Sequence, residues 1–136
     1  MNKTVLVADD DESTRFVLSR ALEGLGYTVV VAEDGADVPD LVAAQRFDLL
    51  VIDLYMPGLN GFGVLRRIRR PDPGFLPAPQ TLSGVPVLVV SGEGNTASIT
   101  NAKGLGADDY LVKPVDMDIF EQTARKLLAG RVSHEA

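Results

Sequence analysis

Apolar positions along the chain follow two alternating rhythms. Five short runs have the length of strands: "TVLVA" (4–8), "YTVVVA" (27–32), "DLLVID" (48–53), "VPVLVVS" (85–91) and "DYLVK" (109–113). All are rich in Val and Leu, and the first, third and fourth lack polar alternation, which marks strands covered on both faces. Between them the spacing predicts helices over 12–24, 36–45, 61–70, 96–104 and 116–129, the first with Phe16, Leu18, Ala21, Leu22 and Leu25 at three-to-four intervals. Alternation of this kind predicts an α/β domain: a doubly wound, five-stranded, mainly parallel sheet with right-handed crossovers, flanked by five helices. Such sheets bind ligands beyond the carboxyl ends of their strands, near the switch point in strand order. The proline-rich stretch "PDPGFLPAPQTLSG" (71–84) interrupts the alternation and reads as a surface loop. The expected domain covers 1–130, with 131–136 as a frayed tail.

Composition narrows the field. The 136 residues suit one domain, 46% of them are apolar and 24% charged, which is a globular balance. No apolar stretch approaches the roughly 20 residues of a membrane span, and "MNKTVLVADDD" reaches acids before a signal-like core can form, so the expected setting is cytoplasmic. Without cysteine, and with the lone His134 in the polar tail, thiolate and histidine metal sites are excluded; a metal must be held by oxygen. A net charge of −6 disfavours nonspecific binding to nucleic acid or anionic membrane and favours protein or small-molecule partners.

The acids give the rim its chemistry. Asp9 and Asp10 follow the first strand and Asp53 ends the third, so the expected topology brings all three to one edge of the sheet. Near-surface carboxylates a few ångströms apart repel by several kcal/mol at an effective dielectric of about 20, so a counter-charge is required. Lys113, ending the fifth strand, supplies one positive charge, and a hard divalent ion such as Mg²⁺ would cancel the remaining two negative ones. Acids at a helix start also serve as caps, and Asp11 is expected in that role. Asp53 closes a buried strand and is followed by Met56-Pro57-Gly58, with no helix of its own to cap, so it reads as a nucleophile. Ser91, before Gly92, reads either as a strand-end hydroxyl in a turn or as a donor to a phosphoryl oxygen. Pro114 after Lys113 fits a cis bond or a plain turn. The arginines at 66, 67, 69 and 70 read as a solvated helix end.

Taken together, "LVADDD", "VIDLYMPGLNGFGVL", "VVSG" and "DDYLVKP" resemble the receiver domains of two-component response regulators, over nearly the whole chain. The resemblance implies a flavodoxin/CheY-like sheet in strand order 2-1-3-4-5. It implies that Asp53 accepts a phosphoryl group from a histidine kinase or phosphotransfer partner, with Asp9, Asp10, Asp53 and the Tyr55 carbonyl as Mg²⁺ ligands, and with Lys113 and Ser91 binding the new oxygens. Tyr110 would turn inward behind Ser91, remodelling the face of the fourth helix and fifth strand and so controlling an output partner. "NTASITNAKG" (95–104) is poor in strong helix formers, which independently predicts a weak fourth helix. In this reading the protein is a signalling phosphoacceptor rather than a turnover enzyme, either standing alone or part of a longer regulator.

Three rivals share some of these features. A haloacid-dehalogenase-type phosphatase uses a strand-end Asp and a second acid two positions on, which Asp9-x-Asp11 imitates, but it leaves Asp53 without a purpose. A flavodoxin-like cofactor module needs hydroxyls and glycines where this chain has acids. A receiver used only as a docking surface, never phosphorylated, is the third.

Overall fold

The computed structural model describes residues 2–69 and 84–134. Strands β1 (Thr4–Ala8), β2 (Thr28–Ala32), β3 (Leu49–Ile52), β4 (Val87–Ser91) and β5 (Asp109–Val112) alternate with helices α1 (Glu12–Gly24), α2 (Val38–Ala44), α3 (Gly61–Arg69), α4 (Thr96–Gly104) and α5 (Met117–His134). The strands form one parallel sheet in the order β2-β1-β3-β4-β5. The doubly wound α/β architecture and its strand order are those expected.

The unbroken apolar runs are explained by burial on both faces. Leu6, Leu50, Ile52, Val87 and Val89 point to the layer completed by Val38, Val42, Val64, Leu65 and Ala102 of α2, α3 and α4. Val5, Val7, Leu49, Val51, Leu88 and Val90 point the other way, onto Leu18 and Leu22 of α1 and Phe120, Ala124 and Leu128 of α5. Side chains alternate across a strand, so a chain covered on both sides needs apolar residues at every position. The edge strands β2 and β5 are more open.

Most boundaries agree with the sequence pattern to within two residues. The second helix is shorter than expected, because Gly35–Asp37 form a separate 3-10 turn in which the Asp34 side chain accepts from the Ala36 backbone N–H at 2.8 Å. Pro39 then occupies the first turn of α2, where its missing N–H costs nothing. Helix α5 continues to His134; residues 135 and 136, like most of the proline-rich stretch and Arg70, lie outside the described residues.

One arginine departs from the expected solvated helix end. The Arg69 side chain is only 14% exposed and donates to the carbonyls of Val85 at 2.6 Å and Gly106 at 2.8 Å, and to Asp108 Oδ2 at 3.0 Å. It ties the end of α3 to the starts of β4 and β5, at the edge of the sheet away from the acids. Gly106, with φ of +111°, lies so close to Arg69 that a Cβ there would meet the arginine side chain at 2.7 Å. Arg66 and Arg67 are exposed, as expected.

Candidate functional site

Each acid is delivered by a strand end. The Asp9 N–H donates to the Ala32 carbonyl at 3.0 Å and the Asp53 N–H to the Ala8 carbonyl at 3.0 Å, so the ladder of β2, β1 and β3 continues one residue past each strand and fixes both positions. Carboxylate oxygens of Asp9, Asp10 and Asp53 all lie within 4.8 Å of one another. Asp9 is 2% exposed and Asp53 6%, while Asp10 faces solvent. From the far side of the sheet Lys113 Nζ reaches Asp9 Oδ2 at 2.8 Å and Asp53 Oδ2 at 3.5 Å. Its own N–H donates to the Ser91 carbonyl at 2.8 Å, and the Lys113–Pro114 bond is cis.

The nearby loops are shaped to the cluster. Asp9 Oδ1 accepts from the Asp11 N–H at 2.9 Å, and Arg15 donates to the Asp9 carbonyl at 2.8 Å. Asp11 caps α1 as expected, accepting from the Thr14 N–H at 2.9 Å and the Thr14 hydroxyl at 2.6 Å; those bonds hold its carboxyl below the usual range. After β3, Asp53 Oδ1 accepts a long bond from the Tyr55 N–H at 3.4 Å. Gly61 starts α3 directly against this turn, where a Cβ would stand 2.5 Å from the Asp53 carbonyl oxygen, so no other residue fits without displacing Asp53.

The electrostatics of the site are asymmetric. Burial pushes the Asp53 carboxyl up from its usual value; Lys113 opposes this and Asp9 reinforces it. Burial works against the Lys113 ammonium, yet its hydrogen bond to Asp9 and the charges of Asp53 and Asp9 outweigh that and raise its pKa. The Lys113 ammonium touches Asp9 and Asp53 but not Asp10, so three clustered carboxylates against one ammonium leave a formal excess of two negative charges on a set of hard oxygen donors. That arrangement fits a divalent cation with oxygen preference.

Ser91 is fully buried at the end of β4, two positions beyond the residue level with Ile52, and its Oγ accepts from the Glu93 N–H at 3.2 Å. Tyr110 is already turned inward, donating its hydroxyl to the Glu93 carbonyl, and burial raises its pKa. Sequence reading missed two contributors. Arg15 gave no signal beyond its place on α1, and Ser98 of α4 was unremarkable until the fold placed its Oγ 3.3 Å from the Tyr55 hydroxyl.

The profile of the family described as "Response regulator receiver domain" matches residues 5–125. The chain belongs to this family. Among curated relatives, the receiver is 37% identical over 130 residues to the DNA-binding transcriptional regulator NtrC of Escherichia coli (strain K12), covering 96% of this chain and 25% of that protein. It is 35% identical over 128 residues to the response regulator MprA of Mycobacterium bovis (strain BCG / Pasteur 1173P2), covering 94% and 51%. The chain thus spans a quarter to a half of the length of these relatives. The structure of the Francisella response regulator 1452 receiver domain superposes with a TM-score of 0.82 at 30% identity, covering 94% of this chain and 98% of that one. Membership fits a phosphoacceptor role in two-component signalling and disfavours the phosphatase and cofactor-module readings. Asp11, the second acid of the phosphatase pattern, has its carboxylate engaged in capping α1. No helix among the described residues is long and apolar enough to cross a membrane.

Proposed function

We propose that this receiver takes a phosphoryl group on Asp53 from the phosphohistidine of a kinase or phosphotransfer protein, in a reaction that depends on Mg²⁺. The observation that carries the proposal is the nine-tenths-buried Asp53 carboxylate, set within 4.8 Å of two further carboxylates and 3.5 Å from Lys113. Asp9, Asp10, Asp53 and the Tyr55 carbonyl would hold the ion, which supplies charge neutralisation for an incoming anionic group. An Asp53 oxygen forms the new O–P bond as the N–P bond to histidine breaks, and the imidazole leaves with the electron pair. Lys113 is placed to exchange its contact with Asp53 Oδ2 for a phosphoryl oxygen, and Ser91 to donate its hydroxyl to another. These groups position and neutralise; none is needed as a general acid or base.

The receiver then works as a signalling module rather than a turnover enzyme. A cytoplasmic setting, a histidine kinase as donor, and an output domain or target protein that reads the α4 and β5 face complete the proposal. Tyr110 and Ser91 both meet the β4–α4 connection at Glu93, which supports that face as the responsive one.

Incubation with acetyl phosphate and Mg²⁺, followed by intact-mass measurement, tests the reading. The wild type should gain one phosphoryl group, while Asp53→Asn and a chelated sample should gain none. Uptake by Asp53→Asn, or no uptake by the wild type, refutes it. A wild type that never loads yet still binds a regulator would favour the docking-only alternative.

A further inference from the structure

The connection that delivers two of the three clustered acids is short: β1 ends at Ala8 and α1 begins at Glu12, so Asp9, Asp10 and Asp11 form all of it. Two of them are tied down by their own side chains. Asp9 Oδ1 accepts from the Asp11 N–H at 2.9 Å, and Asp11 caps α1 through Thr14. Asp10 makes no hydrogen bond or ion pair among the described residues, so the aim of its carboxylate is set by the backbone on either side of it.

Arg15 acts on that backbone. Its side chain, 15% exposed, turns back from α1, and its Nη1 donates to the Asp9 carbonyl at 2.8 Å. This oxygen belongs to the peptide group that joins Asp9 to Asp10. A peptide group is planar, so restraining its oxygen restrains the last dihedral of Asp9 and the first of Asp10 together, and with them the angle between the two side chains. Among the described residues Arg15 is the only donor to this oxygen, and Asp9 is buried, so without the guanidinium the carbonyl loses its partner. The other contact of the guanidinium is slight: Nη2 stands 3.7 Å from Glu33 Oε2 on an acid that is 77% exposed, and a screened pair of that kind contributes little. Nor does the charge of Arg15 govern the reacting carboxylate, since the charges that shift the Asp53 pKa are those of Lys113 and Asp9.

We infer that Arg15 is a positioning residue for the divalent ion: by holding the Asp9 carbonyl it sets the relative aim of the Asp9 and Asp10 carboxylates, and so the affinity of the acid cluster for Mg²⁺. The inference rests on the proposed Mg²⁺ dependence. Its sign separates it from electrostatics. A guanidinium beside the acid cluster, acting through charge alone, would repel the ion, and its removal would tighten binding. Acting through geometry, it aids binding, and its removal loosens it.

Calorimetric titration of Mg²⁺ into the whole chain, with no phosphoryl donor present, reads the affinity directly. Arg15→Met keeps a long side chain of similar helix propensity and removes its donors and charge. It should bind Mg²⁺ about ten- to a hundredfold more weakly than wild type, the usual effect of losing a partner that orients a ligating group. Arg15→Lys, which keeps the charge on a head of different shape, should fall between the two. Glu33→Gln should match wild type. A melt in chelator shows which variants are folded at the titration temperature. If Arg15→Met is not, Arg15→Lys decides, because its charge is intact and a charge account predicts wild-type affinity where the geometric one predicts weaker binding. Wild-type or tighter binding by the deciding variant, or an equal loss in Glu33→Gln, overturns the inference and leaves Asp53 as phosphoacceptor. A wild type that binds no Mg²⁺ overturns both the inference and the proposed Mg²⁺ dependence.

Discussion

Asp53 must ionise in a place that resists ionisation. Burial lifts its pKa above the ordinary 3.8, Asp9 adds to the rise, and Lys113 opposes it. A carboxyl whose folded pKa exceeds its unfolded one binds its proton more tightly in the fold. Its ionisation therefore weakens the fold at pH values above the raised pKa, and that penalty fades as pH falls through the folded value and is gone below the unfolded one. Asp53→Asn should accordingly melt at a higher temperature than wild type in metal-free buffer at neutral pH, with the gain shrinking as the solution is acidified. Added Mg²⁺ should reverse the order, because an ion bound only by the folded state contributes about 2.7 kcal/mol at a hundredfold excess over its Kd, and the variant lacks one ligand. A thermal melt series over pH, with and without the ion, checks both; a wild type more stable than Asp53→Asn in chelator at neutral pH would contradict the argument. Lys113 behaves oppositely: its raised pKa stabilises the fold below 10.5, an influence lost only as pH rises through the folded value.

At the scale of elements, Arg69 joins three of them with one side chain. Removing it leaves the Val85 and Gly106 carbonyls and Asp108 Oδ2 without that partner, although Asp108 Oδ2 also accepts from the Val87 N–H at 2.8 Å. Arg69→Ala should cost on the order of 2–3 kcal/mol, a hydrogen-bonded charge removed from a largely buried site, whereas Arg66→Ala and Arg67→Ala should stay within about 0.5 kcal/mol. Denaturant melts of the three variants compare them directly. Nothing in "RRIRR" distinguishes these arginines: the difference arises because α3 ends beside the start of β4, a fact of packing between distant segments. The strands, by contrast, were legible because burial on both faces forces an unbroken apolar run, and Asp9, Asp10, Asp53 and Lys113 were legible because a parallel sheet places every strand end on one rim. The short second helix was not, since Asp34 closes its turn locally and shifts the start to Val38. Nor was Ser98, whose partner lies 43 residues away, on the loop that follows the neighbouring strand.

For the molecule as a whole, the sheet separates its two ends by task. Acids, lysine and both tyrosine hydroxyl contacts gather at the carboxyl rim, and the Arg69 clamp closes the amino rim. Helix α3 and strand β4 are therefore brought within reach of a single side chain, Arg69 to the Val85 carbonyl at 2.6 Å, independently of what joins them. The sequence between them is correspondingly free to vary in length, since a short turn can span a gap that an arginine bridges. Replacing residues 72–81 by a short Gly-Ser turn should leave uptake of a phosphoryl group from acetyl phosphate unchanged within about twofold and alter stability little, which intact mass and a melt would show. The same geometry makes this a natural place to splice in a reporter or an affinity handle, because both anchors of the guest, Arg69 and Val85, are held together at the pole opposite the acids.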